Sequence, residues 1–253
     1  DVTVPVITCR ELTKVYRNQR KNPGLLAAIR ELWAPELSYT LAVDGLTWEA
    51  AEGEFIGILG PNGAGKTSLL KLLAGLLYPT SGSVTVAGCT PWERQAEFKK
   101  KIALVMGQKN QLWWDLSALE SFLWLKEVYE IPPASFQRVL GELTGVLEVE
   151  GLLDVQVRRL SLGQRMRMEL VASLLHSPRV LLLDEPTLAL DIVAQRNIRT
   201  FLRKYNRDHG ITVLLTSHSM ADIEELCDRV IILDQGRVSY DGRLDNLVRQ
   251  HCQ

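Results

Sequence analysis

No stretch of this chain stays apolar for the roughly 20 residues that a helical bilayer span requires, and the start at Asp1 carries no charged-then-apolar leader. A chain that neither crosses a membrane nor leaves the cytoplasm by its own signals is therefore expected. Cysteine is scarce: Cys9, Cys89, Cys227 and Cys252 are widely scattered, with no CxxC and no paired histidine spacing. That excludes a disulfide framework or a zinc finger and points to reduced, structural or incidental thiols. Charge of either sign is not in excess either, with 29 Lys and Arg against 30 Asp and Glu and a net charge of -1. Nothing global draws the chain to nucleic acid, so no nucleic-acid partner is expected. Internal repeats and low-complexity linkers are absent. The 253 residues suit one large domain, or two intimately joined, with an ample core.

Against these absences one motif stands out. Gly60-Pro61-Asn62-Gly63-Ala64-Gly65-Lys66-Thr67 is a full G-x-x-x-x-G-K-[ST] loop. The apolar run Phe55 to Leu59 reads as a buried strand before it, and Ser68 to Leu77, with leucines at helical spacing, reads as a helix after it. Glycines let the backbone turn its N–H groups onto phosphate oxygens. Lys66 adds a point charge between the β- and γ-phosphates, and the Thr67 hydroxyl suits Mg²⁺.

A second apolar run, Val180 to Leu183, closes on Asp184-Glu185. Asp184 is placed to hold Mg²⁺, and Glu185, next along and facing the other way, to orient or deprotonate an attacking water. Between the two acidic and basic landmarks lies Leu160-Ser161-Leu162-Gly163-Gln164, which reads as a capped helix start, with Met166, Leu170 and Leu174 on one face.

In their order, the phosphate loop, Gln108, Leu-Ser-x-Gly-Gln, Asp-Glu, Asp191 and His218 resemble the ATP-binding cassette of ABC transporters over nearly the whole chain. The resemblance implies a P-loop NTPase core, α/β, with a mixed and mainly parallel sheet, helices, an antiparallel β subdomain and an inserted α-helical subdomain. It implies ATP and Mg²⁺ as ligands. Ser161, Gly163 and Gln164 then belong to the signature that faces nucleotide held by a second cassette, either a second copy or a paralogue. Gln108 corresponds to the residue that touches Mg²⁺ and links the site to membrane subunits. His218 corresponds to the switch histidine at the γ-phosphate, Asp191 to the loop coupling two sites, and Tyr16 to the aromatic that stacks on adenine. Ser68 continues the phosphate loop. Leu162 stands where the family usually has Gly, so it either crowds the opposing phosphate or packs on its own subdomain.

The same landmarks divide the chain into a nucleotide-binding core, residues 1–107 and 178–240, a helical signature subdomain, 108–177, and a short polar tail, 241–253. Helices are expected at Ser117 to Glu130, Ser135 to Leu147 and Arg165 to His176, and Pro79 to Ser83 reads as a turn before a strand Val84 to Val86. The insertion Arg17 to Thr40 is basic and amphipathic from Leu25 onward, suiting a membrane surface, a partner helix or its own domain. Trp113 and Trp114 either fill the subdomain's core or line a groove for a permease helix. Signature and insertion resemble the branch of drug- or viologen-type exporters. The resemblance thus implies an ATPase motor at the cytoplasmic face of the membrane, driving integral permease subunits. An importer motor and a soluble ABC ATPase of translation or repair are the alternatives.

Overall fold

The computed structural model describes residues 4–19, 37–107, 109 and 111–251. In chain order the elements begin with β1 (Ile7–Gln19), β2 (Leu37–Ala50), β3 (Phe55–Leu59), α1 (Lys66–Leu73) and β4 (Ser81–Val86). They continue with α2 (Ala96–Lys101), β5 (Ile102–Met106), α3 (Ala118–Val128), α4 (Pro133–Val146) and α5 (Leu162–Leu174). The last are β6 (Val180–Asp184), α6 (Ile192–His209), β7 (Thr212–Thr216), α7 (Met220–Leu226), β8 (Arg229–Asp234), β9 (Arg237–Arg243) and α8 (Leu244–His251).

The continuous apolar runs become strands because both of their faces are covered. The larger sheet has the order β5-β6-β7-β3-β8-β9, parallel except for β9, which returns antiparallel along β8. Its side chains alternate between two cores. Leu181 and Leu183 of β6, with Val213 and Leu215 of β7, face a cluster built with Phe122, Phe136, Leu170 and Phe201 of the helices. Val180, Leu182, Leu214, Ile56 and Ile58 face the other cluster, with Leu69, Leu70 and Leu73 of α1 and Val84 and Val86 of β4. The smaller sheet, order β2-β1-β4 and antiparallel, closes that second core from outside.

Among the described residues, the two sheets take no strand from between Met106 and Val180. Several boundaries differ from the expected ones. The helix after the phosphate loop runs over Lys66–Leu73 rather than to Leu77, because Gly75 adopts φ +69° and packs where a Cβ would stand 2.2 Å from the Pro91 carbonyl oxygen. Ser81 to Ser83 belong to β4 and pair with β1, so the turn before that strand is shorter than expected. The stretch after Tyr240 is not a polar tail: β9 continues to Arg243, and α8 follows with Leu244 buried against the core. Both ends of the insertion, up to Gln19 and from Leu37, are paired strands. Its amphipathic stretch, Leu25, Leu26, Ile29 and Arg30 included, lies outside the described residues. Cys9 and Cys227 are buried, and burial pushes the Cys9 thiol up to about 12 and the Cys227 thiol higher than its usual range. Cys252 is outside the described residues.

His176, just beyond α5, stacks on Tyr129 with ring centroids 4.0 Å apart, and its Nε2 meets the Ile102 carbonyl at 2.9 Å. Its Nδ1 is buried without a hydrogen-bond partner, so a second proton there finds no acceptor. Burial accordingly holds the imidazole pKa below its ordinary 6.5. A base depressed in the fold stabilises it above the unfolded-state pKa, and that contribution is lost as pH falls below 6.5. In urea denaturation across this range, His176→Gln, which keeps a donor for Ile102 but does not titrate, should lose less stability on acidification than wild type; equal slopes would contradict this.

Candidate functional site

The parallel strands deliver their C-terminal ends to one edge, where open α/β sheets bind ligands. β3 leads into Gly60-Pro61-Asn62-Gly63-Ala64-Gly65, and the chain then turns into α1. Gly65 is the residue before the helix, at φ +101°, and a Cβ on it would lie 2.0 Å from the Ala42 carbonyl oxygen. Only glycine fits. α1 has no side-chain cap at its start, and the first N–H groups of a helix have no intrahelical acceptor, so this end suits an anion.

Lys66 is 93% buried, exposing 7% of its surface, and curls over the loop to donate to the carbonyls of Gly60 at 2.7 Å and Pro61 at 3.0 Å. Burial lowers its pKa, while the charges of Glu185 and Asp184 act to raise it. Thr67 donates its hydroxyl to Asp184 Oδ2 at 2.9 Å. Asp184 also accepts from Thr216 Oγ1 at 2.7 Å, across the register pair that ends β6 and β7. A cavity of about 270 Å³ is lined by Tyr16, Asn62, Gly63, Ala64, Gly65, Lys66, Thr67, Ser68 and Glu185, together with Thr40 and Ala42 of β2. Tyr16 is tethered at its rim by a 3.1 Å hydrogen bond between its hydroxyl and Ser68 Oγ, and Lys14 Nζ lies 5.5 Å from its ring centroid.

Glu185 does not continue the strand. It adopts φ +53°, so the alternation expected from β6 does not set its direction. Its amide donates to the Thr216 carbonyl at 3.0 Å, and its Oε1 lies 3.0 Å from His218 Nε2. The two residues expected to work at the γ-phosphate are in contact.

The remaining candidates lie elsewhere. Ser161 and Gln164 form a capping box at the start of α5: Ser161 Oγ accepts the Gln164 amide at 3.2 Å, and Gln164 Oε1 accepts the Ser161 amide at 2.9 Å. Gly163 abuts the first turn of α6, where a Cβ would be 2.9 Å from that of Ala194. Asp191 caps α6 by accepting the Ala194 amide at 2.8 Å. Signature and Asp191 are thus neighbours, but neither lines the 270 Å³ cavity. Leu162 packs partly buried against its own helical core.

Gln108 lies outside the described residues. The chain on either side of it is fastened: Gly107 donates to the Asp184 carbonyl at 2.8 Å, and the amides of Gln111 and Leu112 reach Glu169 in α5 at 3.0 and 3.2 Å. Glu169 is buried, and burial raises its carboxyl pKa while the two amides pull it down. Sequence reading passed over it, although a carboxylate inside the apolar stretch Met168 to Leu175 was a visible signal. Trp113 and Trp114 are not core residues. Each is half-exposed, Trp113 against Trp124 with centroids 5.0 Å apart and Trp114 beneath the Arg165 guanidinium at 5.2 Å, while Leu112 takes the buried position.

Fold and site together define a P-loop nucleotide-binding protein. Comparison with known proteins narrows this class. A sequence profile described as ABC transporter matches residues 43–188. The ABC transporter ATP-binding protein NatA of Bacillus subtilis (strain 168) is 32% identical over 206 residues, spanning 81% of this chain and 83% of NatA. The Nod factor export ATP-binding protein I of Rhizobium sp. (strain N33) is 34% identical, over 84% of this chain and 70% of its own length. The methionine import ATP-binding protein MetN of Francisella tularensis subsp. holarctica (strain OSU18) is 33% identical, over 80% of this chain and 59% of its own. The chain therefore belongs to the ABC transporter family as an ATP-binding subunit. Among solved structures, the dimeric ATP-binding cassette MJ0796 bound to ADP and Pi in a post-hydrolysis state superposes with a TM-score of 0.76 at 27% identity, covering 94% of this chain and 98% of that one.

Glu169 yields a direct test of the packing. Glu169→Ala strands the buried Leu112 amide, at about 1–3 kcal/mol when unpaired, and releases the part-buried Gln111 amide. Urea unfolding should show a loss of that order; a change within experimental error would mean that Glu169 does not hold the segment.

Proposed function

We propose that this chain hydrolyses ATP as the motor of a transporter, and that it works as one of two cassettes closing on two ATP molecules against separately encoded permeases. The observation that carries the reading is the Glu185–His218 contact at 3.0 Å, beside a carboxylate, Asp184, bonded to the phosphate-loop hydroxyl of Thr67.

The loop amides and Lys66 take the β- and γ-phosphates, and Tyr16 offers its ring to adenine at the cavity rim. Glu185 accepts the proton of the attacking water, and His218 orients Glu185 and meets the γ-phosphate. The donor set fits Mg²⁺: a hydroxyl and a carboxylate, both hard oxygen ligands, adjoin the phosphate loop, whereas among the described residues no cluster of three His, Cys, Asp or Glu forms a separate metal cage. Thr67, Asp184 and Gln108 would hold the ion. When bound, it neutralises charge on the transferred phosphoryl group.

Ser161, Gly163 and Gln164, which lie outside their own chain's cavity, complete the partner's site, with Asp191 alongside them. This assigns 108–177 as the signature subdomain and 1–107 with 178–240 as the nucleotide-binding core. A groove of about 380 Å³ between the two, lined by Phe98, Lys99, Leu104, Gln111, Tyr129 and His176, adjoins the Gln108 segment and is the proposed seat of a short permease helix. Among the described residues no helix is long and apolar enough to cross a membrane. In this reading the permease partner supplies the pathway, and the chain works at the cytoplasmic face.

The proposed direction is export. It is supported by the resemblance of the Leu-Ser-Leu-Gly-Gln signature to the drug- or viologen-type branch. A solute-binding protein encoded beside this chain would overturn export in favour of import.

Two substitutions separate binding from chemistry. Glu185→Gln should keep ATP affinity and slow hydrolysis at least about a hundredfold, the range of a lost general base. On this variant ATP should also convert monomers to dimers in light scattering. Lys66→Ala should instead lose ATP binding in calorimetry. Near-wild-type turnover by Glu185→Gln, or undiminished ATP affinity in Lys66→Ala, would overturn the assignments.

A further inference from the structure

The ladder between β6 and β7 has Asp184–Thr216 as its last pair, and the Glu185 amide still bonds Thr216; Thr187 and His218 lie beyond. There one side chain reaches both segments. Asp222, in α7, has no exposed surface. Its Oδ2 accepts the hydroxyl of Thr187, two residues past Glu185, at 2.5 Å, and that of Ser217, which precedes His218, at 2.6 Å. Its Oδ1 accepts from Arg199 Nη1 at 3.0 Å, and Arg199 donates in turn to Glu225 at 2.8 Å. Ser217 Oγ also accepts the amide of Ser219 at 3.0 Å, so both neighbours of His218 are fixed from one point.

The chemistry explains why the hub is an aspartate. An ionised carboxylate accepts only, and each oxygen has room for two donors, so one oxygen takes two hydroxyls while the other faces a guanidinium. An amide there either turns its NH₂ onto Arg199, setting donor against donor, or turns it toward the hydroxyls, which must then reverse from donating to accepting while the charge that faces Arg199 is lost. The side chain is also too deep to reach nucleotide: it is fully buried and contributes nothing to the cavity wall.

We propose that Asp222 is a positioning residue for hydrolysis: by holding Thr187 and Ser217 on one oxygen, it sets the distance and orientation at which Glu185 and His218 meet. This rests on the roles proposed above for Glu185 and His218. Because Glu185 is held at φ +53°, where a non-glycine residue is strained, it depends on such external fastening. A displacement of about 1 Å in a catalytic group costs up to about a hundredfold in rate.

The test is steady-state ATP hydrolysis by the full chain, with melting temperature measured on every variant. Asp222→Asn should lower kcat roughly ten- to a hundredfold with KM for ATP changed less than about threefold. Thr187→Val, which leaves the Asp222–Arg199 pair in place, should lower kcat in the same way, and Thr187→Ser, which restores the hydroxyl, should recover it. In combination with His218→Ala, Asp222→Asn should cost little more than His218→Ala alone, since both act on one contact. If Asp222→Asn does not fold, the Thr187→Val and Thr187→Ser pair decides. Unchanged kcat in the folded variants, while Glu185→Gln is inactive, would overturn the proposal. So would losses that add fully to those of His218→Ala, or a kcat lost in Thr187→Val and not regained in Thr187→Ser. Active Glu185→Gln would instead overturn the functional reading itself, independently of Asp222.

Discussion

Asp184 closes β6 directly opposite Thr216, the last residue of β7, and its carboxylate bonds the hydroxyls of Thr216 and Thr67 together. The rest of the site depends on this arrangement. It locks the start of α1 to the edge of the sheet, so the phosphate loop cannot shift relative to the acidic strand. Because side chains alternate along a strand, a slip of one residue between β6 and β7 would turn Asp184 into one of the two cores. The register is protected by those cores: Val180 and Leu182 pack on one face of the sheet, Leu181 and Leu183 on the other, and a slip would exchange them. Burial of leucines thus fixes where a carboxylate stands.

Tyr16, the phosphate loop and Glu185 reach a single cavity, whereas Gly163 of the signature lies outside it against Ala194, in the helix turn that Asp191 caps. One chain therefore carries a phosphate-loop cavity and, on another part of its surface, the capped start of α5. Between them runs the segment around Gln108, fastened to the β6 end through Gly107 and to the signature helix through Glu169. The 380 Å³ groove opens beside these contacts, lined in part by Gln111 and Lys109.

What the sequence made legible was contiguous. The phosphate loop, the apolar strand ending in Asp184 and the Ser161 cap each need neighbours within a few residues, and each appears where the pattern places it. Contacts that close through space were not legible. Glu169 meets backbone amides 57 and 58 positions away, and Asp222 gathers Thr187 from 35 positions away. The end of α1 was missed because the leucine pattern runs on past the point where Gly75 turns against Pro91. The last segment was misread because its polar composition hides one buried anchor, Leu244, that ties α8 to the core. The tryptophan pair shows the limit of composition: Leu112, one position earlier, is the side chain that the core takes, and Trp113 and Trp114 remain half-exposed.

The central claim is that Asp184 joins the phosphate loop to the acidic edge as a metal and nucleotide site. Calorimetric titration of ATP with and without Mg²⁺ tests it most directly. Wild type should bind ATP more tightly when Mg²⁺ is present, and Asp184→Asn, which keeps the shape but not the charge, should abolish that difference while still binding metal-free ATP. An equal Mg²⁺ dependence in the two proteins would contradict the account.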